Sequence, residues 1–504
     1  MYLQLVRTVL PIAVAGLAGL LYLNALRGGF VWDDIPLIAE NPALRTLKNL
    51  PKALISDFSG LADPSRRSGY YRPVTVITYF LDYHLWRGWP FGFHLSNLLF
   101  HALCSLLIYL LSLKALGSRE VASAAGFLFA AHPVHTEAVA WISGRTDVLA
   151  ALFLLAALLA MDRTYGLSLA LSALSMGAKE SGTSVVLLAP LYGMLHLGKA
   201  PRRYIWYALV GAGFWTLRWS VVGGVRLPPE TPIPPIPLRV AEVPLLWGRY
   251  IWKLIWPLQL NAEWEVPAPV SLGFQHLVGW GILACGTYYL LRRWRKHLSI
   301  VFGLGFLFLG LLPVSGVVPL YDRTAERFLY LPSAGFALLT AWGWAFILRW
   351  RRTLAWALLS GVVLAYSWTT VSRNRVWKDQ ETLFWATVRD APHSARAHYN
   401  LGTYLLGKGN YDEAISLLRK ALSLRPGFRE AQYNLACAYA LKGDTDRAIR
   451  ALWRAVRMGV RDGNYIASDP DLKTLHSDPR FRTLLRALGV AGPPPGPFGP
   501  RRSP

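Results

Sequence analysis

Two adjacent carboxylates, Asp33 and Asp34, follow Phe30-Val31-Trp32 just past the first hydrophobic segment, where the chain would leave a membrane. Like charges side by side at a bilayer surface repel, and partial burial disfavours their ionisation. Such a pair is a candidate general base or cation site, or else the start of a solvated loop. Further polar residues gather between the later hydrophobic runs. Tyr70-Tyr71-Arg72-Pro73 closes the loop that the acid pair opens. His132-Pro133-Val134-His135-Thr136-Glu137 and Ser143-Gly144-Arg145-Thr146-Asp147 bracket a turn. Lys179-Glu180 joins two runs, and Arg323, Glu326 and Arg327 precede Phe328-Leu329-Tyr330. Ionisable residues at that depth usually line a water-filled or ligand site. Cations there suit a phosphate, through charge-assisted hydrogen bonds. A carboxylate suits a base for a hydroxyl acceptor.

Each group also has a plainer role. His132, His135 and Glu137 could ligate a metal, but they lack a known zinc spacing, and helix capping or hydrogen bonding accounts for them as well. Lys179 and Glu180 can form an ordinary ion pair, as can Arg145 and Asp147, and Arg327 can snorkel. Their joint gathering on one side of a membrane is what points to a site.

The elements that must position these residues are apolar. The 504-residue chain is 53% hydrophobic with a net charge of +24, too apolar for an ordinary soluble protein. Much of the basic excess sits in short clusters between hydrophobic runs: Lys199-Ala200-Pro201-Arg202-Arg203, Arg292-Arg293-Trp294-Arg295-Lys296 and Arg349-Trp350-Arg351-Arg352. Membrane topology explains that pattern better than nucleic acid, which is not expected as a partner. Cys104, Cys285 and Cys437 are far apart and form no disulfide framework.

Hydrophobic runs at 9–26, 94–113, 121–134, 146–161, 167–178, 182–197, 204–222, 276–291, 298–312, 332–348 and 353–371 predict about eleven transmembrane helices. The segments 73–86 and 243–256 read as helices at the membrane surface. Placing the basic clusters in the cytoplasm puts the N-terminus there too. The opposite face then receives a first outer loop at 27–72, a second large outer loop at 224–275 with a proline-rich stretch at 227–237, the 321–330 segment and everything after residue 371.

From there the character changes. Tyr399-Asn400-Leu401-Gly402 recurs as Tyr433-Asn434-Leu435-Ala436, and Asp412-Glu413-Ala414-Ile415 as Asp446-Arg447-Ala448-Ile449, both thirty-four residues on. This is the tetratricopeptide period, with small residues where paired helices cross. The expected architecture is therefore α-helical, a polytopic membrane unit at 1–372 followed by a tetratricopeptide-repeat α-solenoid at 373–490. Full repeats lie near 395–428 and 429–462, capped by helices at 380–390 and 471–488. The Pro/Gly/Arg-rich tail at 491–504 is expected to be disordered.

Phe30-Val31-Trp32-Asp33-Asp34, Tyr71-Arg72-Pro73, Phe93-His94-Leu95-Ser96-Asn97, His132 through Asp147, Lys179-Glu180, Glu326-Arg327-Phe328-Leu329-Tyr330-Leu331-Pro332 and the junction Arg375-Val376-Trp377 occur in this order. Together they resemble the transmembrane and tetratricopeptide-repeat-containing O-mannosyltransferases of the GT-C superfamily. The chain departs from the eukaryotic members in carrying about two repeats instead of many. Its shortness and Arg-rich clusters suggest a bacterial relative, hence a multi-pass protein of the inner (cell) membrane with its repeats on the outer face.

The resemblance implies a GT-C-type membrane domain and transfer of a sugar, mannose first, from a polyprenyl-phosphate donor to an acceptor hydroxyl by inversion. The acceptor would be Ser/Thr of an exported protein, docked on the repeats, or a glycan. Asp33 would be the base, with Asp34 positioning the acceptor or sharing the role. Arg72, Lys179 and Arg327 would hold the departing phosphate. Tyr71, His132, His135, Glu137, Arg145, Asp147, Glu180, Arg323 and Glu326 would shape the pocket. No cofactor is expected besides the polyprenyl-phosphate sugar as co-substrate, no metal ligands are assigned, and a divalent ion is left open. The alternative is a non-catalytic membrane scaffold that binds exported proteins through its repeats.

Overall fold

The computed structural model of the chain describes residues 2–63, 67–198, 201–224, 233–264, 271–293 and 298–490, and among the described residues there is no strand. It divides into two compact units, Met1–Asp379 and Gln380–Pro504. Parts of the proline-rich stretch, of the Lys199 and Arg292 clusters and of the second outer loop, and the whole 491–504 tail, lie outside the described residues.

The first unit is built on α1 (Tyr2–Leu21), α2 (Pro73–Trp86), α3 (Pro90–Leu116), α4 (Arg119–Ala131), α5 (Thr136–Ala140), α6 (Arg145–Ala160), α7 (Tyr165–Ala178), α8 (Val185–Tyr192), α9 (Ile205–Val222), α10 (Ile236–Ile255), α11 (Phe274–Arg293), α12 (Leu298–Leu311), α13 (Pro332–Trp350) and α14 (Arg352–Asn374). Four segments are long and apolar enough to cross a membrane by length and composition: Val9–Arg27, Pro90–Leu116, Ile142–Ala160 and Arg352–Trp377. The 27 residues of α3 rise about 40 Å, more than the hydrocarbon thickness of a bilayer. These apolar helices make the chain a membrane protein.

Helix direction sorts the loops into two ends. At one end, Lys114 at the close of α3 meets Asp162 just past α6, Arg352 at the start of α14 meets Glu120 at the start of α4, and Arg203 before α9 caps the ring of Tyr165 at the start of α7. At the other end, the loops after α1, α4 and α7 meet those before α2, α6 and α13, as the next subsection details. The basic residues Arg202, Arg203 and Arg352 and the acid pair are thus at opposite ends of one bundle.

Three elements differ from their predicted extents. The run at 182–197 contains only a short regular helix, α8, with Pro190 inside it. Proline removes a backbone donor, and the following turn widens to compensate. The surface helix expected at 243–256 begins earlier, at Ile236, because Pro235 and Pro237 fall at its cap and first turn, where proline is tolerated. The first outer loop is not loose: Leu37, Ile38, Leu44, Ala53 and Phe58 pack in one apolar cluster with Val76, Tyr79 and Phe80 of α2.

The first unit also extends past residue 372. Asn374 donates to Leu21 O at 2.8 Å, and Gly29 N donates to Lys378 O at 2.7 Å. Trp377 is 1% exposed. The junction is therefore tied back to the end of α1, and the second unit starts at Gln380.

The second unit comprises α15 (Gln380–Asp390), α16 (Ala395–Gly407), α17 (Tyr411–Leu424), α18 (Arg429–Lys442), α19 (Thr445–Arg457), α20 (Gly463–Ser468) and α21 (Pro479–Ala487). Helices α16/α17 and α18/α19 are the two repeats. A Cβ on Gly402 would meet Leu418 Cγ at 3.0 Å, which is why the first repeat has glycine at this crossing. Asn434 in the second repeat donates to Thr403 in the first, at 2.9 Å. Ser394, Asp444 and Asp478 cap helix N-termini through their side chains.

Candidate functional site

The acid pair is split by the fold. Asp34 is fully buried and accepts three hydrogen bonds, from Val31 N at 3.1 Å, Ser143 N at 2.8 Å and Ser143 Oγ at 2.5 Å. Burial outweighs these bonds and pushes its carboxyl up to about 7. It clamps the first loop onto the turn between α5 and α6. Asp33, one residue before it, is exposed. The residue before that, Trp32, sits at φ 50°, a left-handed conformation that strains a non-glycine backbone and tends to mark functional sites.

Aromatic rings hold the strained turn. Trp32 meets Trp141 and Trp377 edge-on, each with centroids 5.7 Å away, while Trp141 and Trp377 stack at 5.9 Å. Trp141 Nε1 donates to Val31 O. The turn behind Trp141 is tight enough to demand glycine: a Cβ on Gly144 would lie 2.5 Å from Glu137 O.

Two of the three predicted phosphate cations share an aromatic ring, and the third stacks on rings of its own. Arg327 lies 5.4 Å from the centroid of Trp141 and 5.2 Å from that of Phe328, and Lys179 lies 4.9 Å from Phe328. Arg327 pairs with Glu137 and, at 2.5 Å, with Asp322. Lys179 pairs with Asp147 at 2.6 Å. Arg72 pairs through Nε with Glu180 at 3.1 Å and stacks over Tyr70 at 4.4 Å. Glu180 also accepts Tyr71 N. Burial lowers Lys179 to about 8, Asp147 opposing it while the charges of Arg72 and Arg327 add to the lowering. Arg327 resists its burial, because Glu137 and Asp322 hold it charged.

Two local pairings that the sequence allows are replaced by longer-range ones. Arg145 does not bind Asp147, and Lys179 does not bind Glu180. Side chains one or two residues apart on a helix or turn point in different directions, so each reaches across to another element. Arg145 meets Asp82 of α2 at 2.6 Å, Asn97 Oδ1 at 2.8 Å and Phe93 O at 2.9 Å. It is fully buried and ties α2, α3 and α6 together.

The histidines lie in packing. His132 Nε2 is 3.0 Å from Leu254 O, and His135 Nε2 is 2.8 Å from Ser333 Oγ. Both rings contact Phe129, Tyr330, Phe336 or Tyr366. Among the described residues no three His, Cys, Asp or Glu side chains gather as a metal set. Tyr71 is buried, its hydroxyl donating to Leu54 O. Glu326 accepts Lys253 Nζ at 2.7 Å and Asn261 N at 2.6 Å, and Arg323 faces Glu242 at 3.6 Å, beside His276.

Sequence reasoning gave no site role to Asp82, Trp141, Lys253 and Trp377, nor to Arg218, whose Nε lies 4.0 Å from Glu180. Asp82 carried a signal, a lone acid on an apolar helix. Trp141, between Ala140 and Ile142, carried none, since a tryptophan between apolar residues reads as core, and Trp377 stood in the junction motif with no role attached to it.

Similarity to known proteins is extensive. Tetratricopeptide repeat models match residues 381–427 and 405–467. Human protein O-mannosyl-transferase TMTC1 is 30% identical over 84% of this chain and 56% of its own length. The chain is a relative of this family. Human protein O-mannosyl-transferase TMTC3 is 29% identical over 84% of the chain and 52% of its own length, and mouse protein O-mannosyl-transferase TMTC4 is 28% identical over 81% and 65%. The chain thus spans little more than half the length of the curated relatives of that family that it matches. No solved structure matches it.

Proposed function

We propose that the chain is a membrane glycosyltransferase that moves a sugar, mannose first, from a polyprenyl-phosphate carrier to a hydroxyl of an acceptor, Ser or Thr of an exported protein being the leading candidate. The reaction takes place at the bundle end that carries Asp33, on the non-cytoplasmic face, in a bacterial cell membrane with the N-terminus inside. The activity for which the relatives are named supports the transfer. The observation that carries the residue assignment is the split acid pair, one carboxylate locked in place and its neighbour exposed on a strained turn.

In this mechanism Asp33 takes the proton of the acceptor hydroxyl as its oxygen attacks the anomeric carbon. The bond from that carbon to the phosphate oxygen breaks on the opposite face, inverting the configuration. The electron pair leaves with the polyprenyl phosphate. Arg72, Lys179 and Arg327 stabilise that charge. Arg72 is the best placed by its free donors, since it meets Glu180 through Nε alone. Glu180, Asp147 and Glu137 fix the three cation heads. Asp34 positions Asp33 through Ser143 and Val31, and Trp32 offers the adjoining aromatic face to the sugar or acceptor.

The test is transfer from radiolabelled polyprenyl-phosphate sugars by purified protein in lipid, with a membrane extract as acceptor. Loss of transfer in Asp33→Asn with unchanged thermal unfolding supports the assignment. Full activity in that variant places the base elsewhere. No transfer from any donor by the unmodified protein overturns the enzymatic reading.

A further inference from the structure

The repeat unit contains a cleft of about 490 Å³ that the proposed transfer does not use. Its banks are the second helices of successive repeats, α17 and α19, and its floor is α18. Arg419 stands on one bank. Arg447, Arg450 and Arg454 stand on the other. All four are exposed, while Gln432, Leu435 and Tyr439 of the floor are buried.

Spacing explains the row. Positions 447, 450 and 454 are three and four apart, so they share one face of α19. From the first to the last the helix rises about 10 Å. Among the described residues Arg447 is the lining arginine with a carboxylate partner, Asp444 at 3.4 Å. The other three have none. Like-charged guanidinium groups held along one cleft repel one another, and an anion relieves that repulsion.

We infer that this cleft binds an extended acidic segment of a partner protein, its Asp/Glu side chains meeting Arg419, Arg450 and Arg454. The volume falls in the range of ligand clefts, about 300–1,000 Å³. The arginine row matches about three residues of extended chain at roughly 3.3 Å each. A cleft with an amide, Gln432, and apolar side chains on its floor suits a peptide better than a flat lipid surface. A second copy of this chain is a poor occupant, because the chain carries a net charge of +24. The site is independent of sugar transfer, since it involves no residue of the proposed catalytic end.

The experiment uses the full chain in nanodiscs of neutral lipid and a fluorescein-labelled peptide of alternating Asp and Ser, with a Lys/Ser peptide as control. Anisotropy should report binding of the acidic peptide alone, weakening as salt rises. The pair Arg450→Glu/Arg454→Glu should weaken it at least tenfold, and Arg450→Gln/Arg454→Gln by less. Arg461→Glu, a single charge reversal outside the cleft, should leave it within twofold. Equal loss with Arg461→Glu, no loss with the cleft variants, or no binding of the acidic peptide overturns the proposal. So does capture of phosphatidylglycerol vesicles by the cleft in preference to the peptide.

Discussion

The two compact units use their charges in opposite ways. At the polar end of the membrane unit nearly every buried charge has a named partner on another element: Arg145 with Asp82, Lys179 with Asp147, Arg72 with Glu180, Lys253 with Glu326. In the repeat unit charges are exposed, and the arginines of the α17/α19 cleft mostly face solvent without a carboxylate. Low-dielectric surroundings make a buried charge costly unless it is paired, so pairing there fixes geometry. Charges in water are screened and remain available to an incoming ligand. The first arrangement makes for rigidity, and the second leaves charge available to a partner.

The sharpest way to break this contrast is Arg145→Met. It leaves Asp82 buried without its cation and Asn97 Oδ1 without a donor. The expected loss is about 3–5 kcal/mol, the usual result of removing one member of a buried pair. Thermal unfolding in detergent measures it. A shift worth under about 1 kcal/mol would mean that the network does not hold α2, α3 and α6 together.

Asp34→Asn should cost less, about 1–3 kcal/mol, the penalty of one unsatisfied buried polar group. The amide keeps an oxygen for Ser143 but turns a donor toward the donating Val31 N–H. A pH signature accompanies it. Folding raises Asp34 from 3.8 to about 7, so between those values the folded form holds a proton that the unfolded form does not. Its contribution to stability is therefore fully present below about pH 4 and declines as pH rises through about 7. Unfolding followed across that range should show a flatter slope in the variant, and an unchanged slope would count against the burial of Asp34.

How much of this was legible in the sequence follows the same division. The bundle and the repeats were readable, because apolar runs and a thirty-four-residue period are local patterns. So were the ends at which Asp33, Lys179 and Arg327 gather, since alternating spans bring alternate loops together. The partners were not. Arg145 two residues from Asp147 and Lys179 beside Glu180 invite local pairing, yet backbone direction sends each side chain elsewhere, and only tertiary packing decides where. Nothing in Asp33-Asp34 distinguishes the exposed acid from the buried one. Ser143, more than a hundred residues away, makes that difference.

Lys179 sharpens the contrast within the site itself. With its ammonium lowered to about 8, it is charged at neutral pH and loses its proton above that value. Binding of a phosphate donor should weaken as pH passes 8, seen as a KM rising toward tenfold per unit while kcat changes less. Lys179→Arg, whose charge persists, should move that limb to higher pH. A limb that stays in place would assign it to another group.

The smallest effect is expected in the repeats. Lys442 pairs with Asp412 across successive repeats, with the two side chains 45% and 83% exposed. In water such a pair gains little Coulomb energy and gives up side-chain freedom, so Lys442→Ala should change stability by under about 1 kcal/mol. Salt should erase even that difference. A loss comparable to that of Arg145→Met would mean that exposed pairs lock the repeats together as buried ones lock the bundle. The arginines of the cleft could not then be treated as charges free to meet a partner.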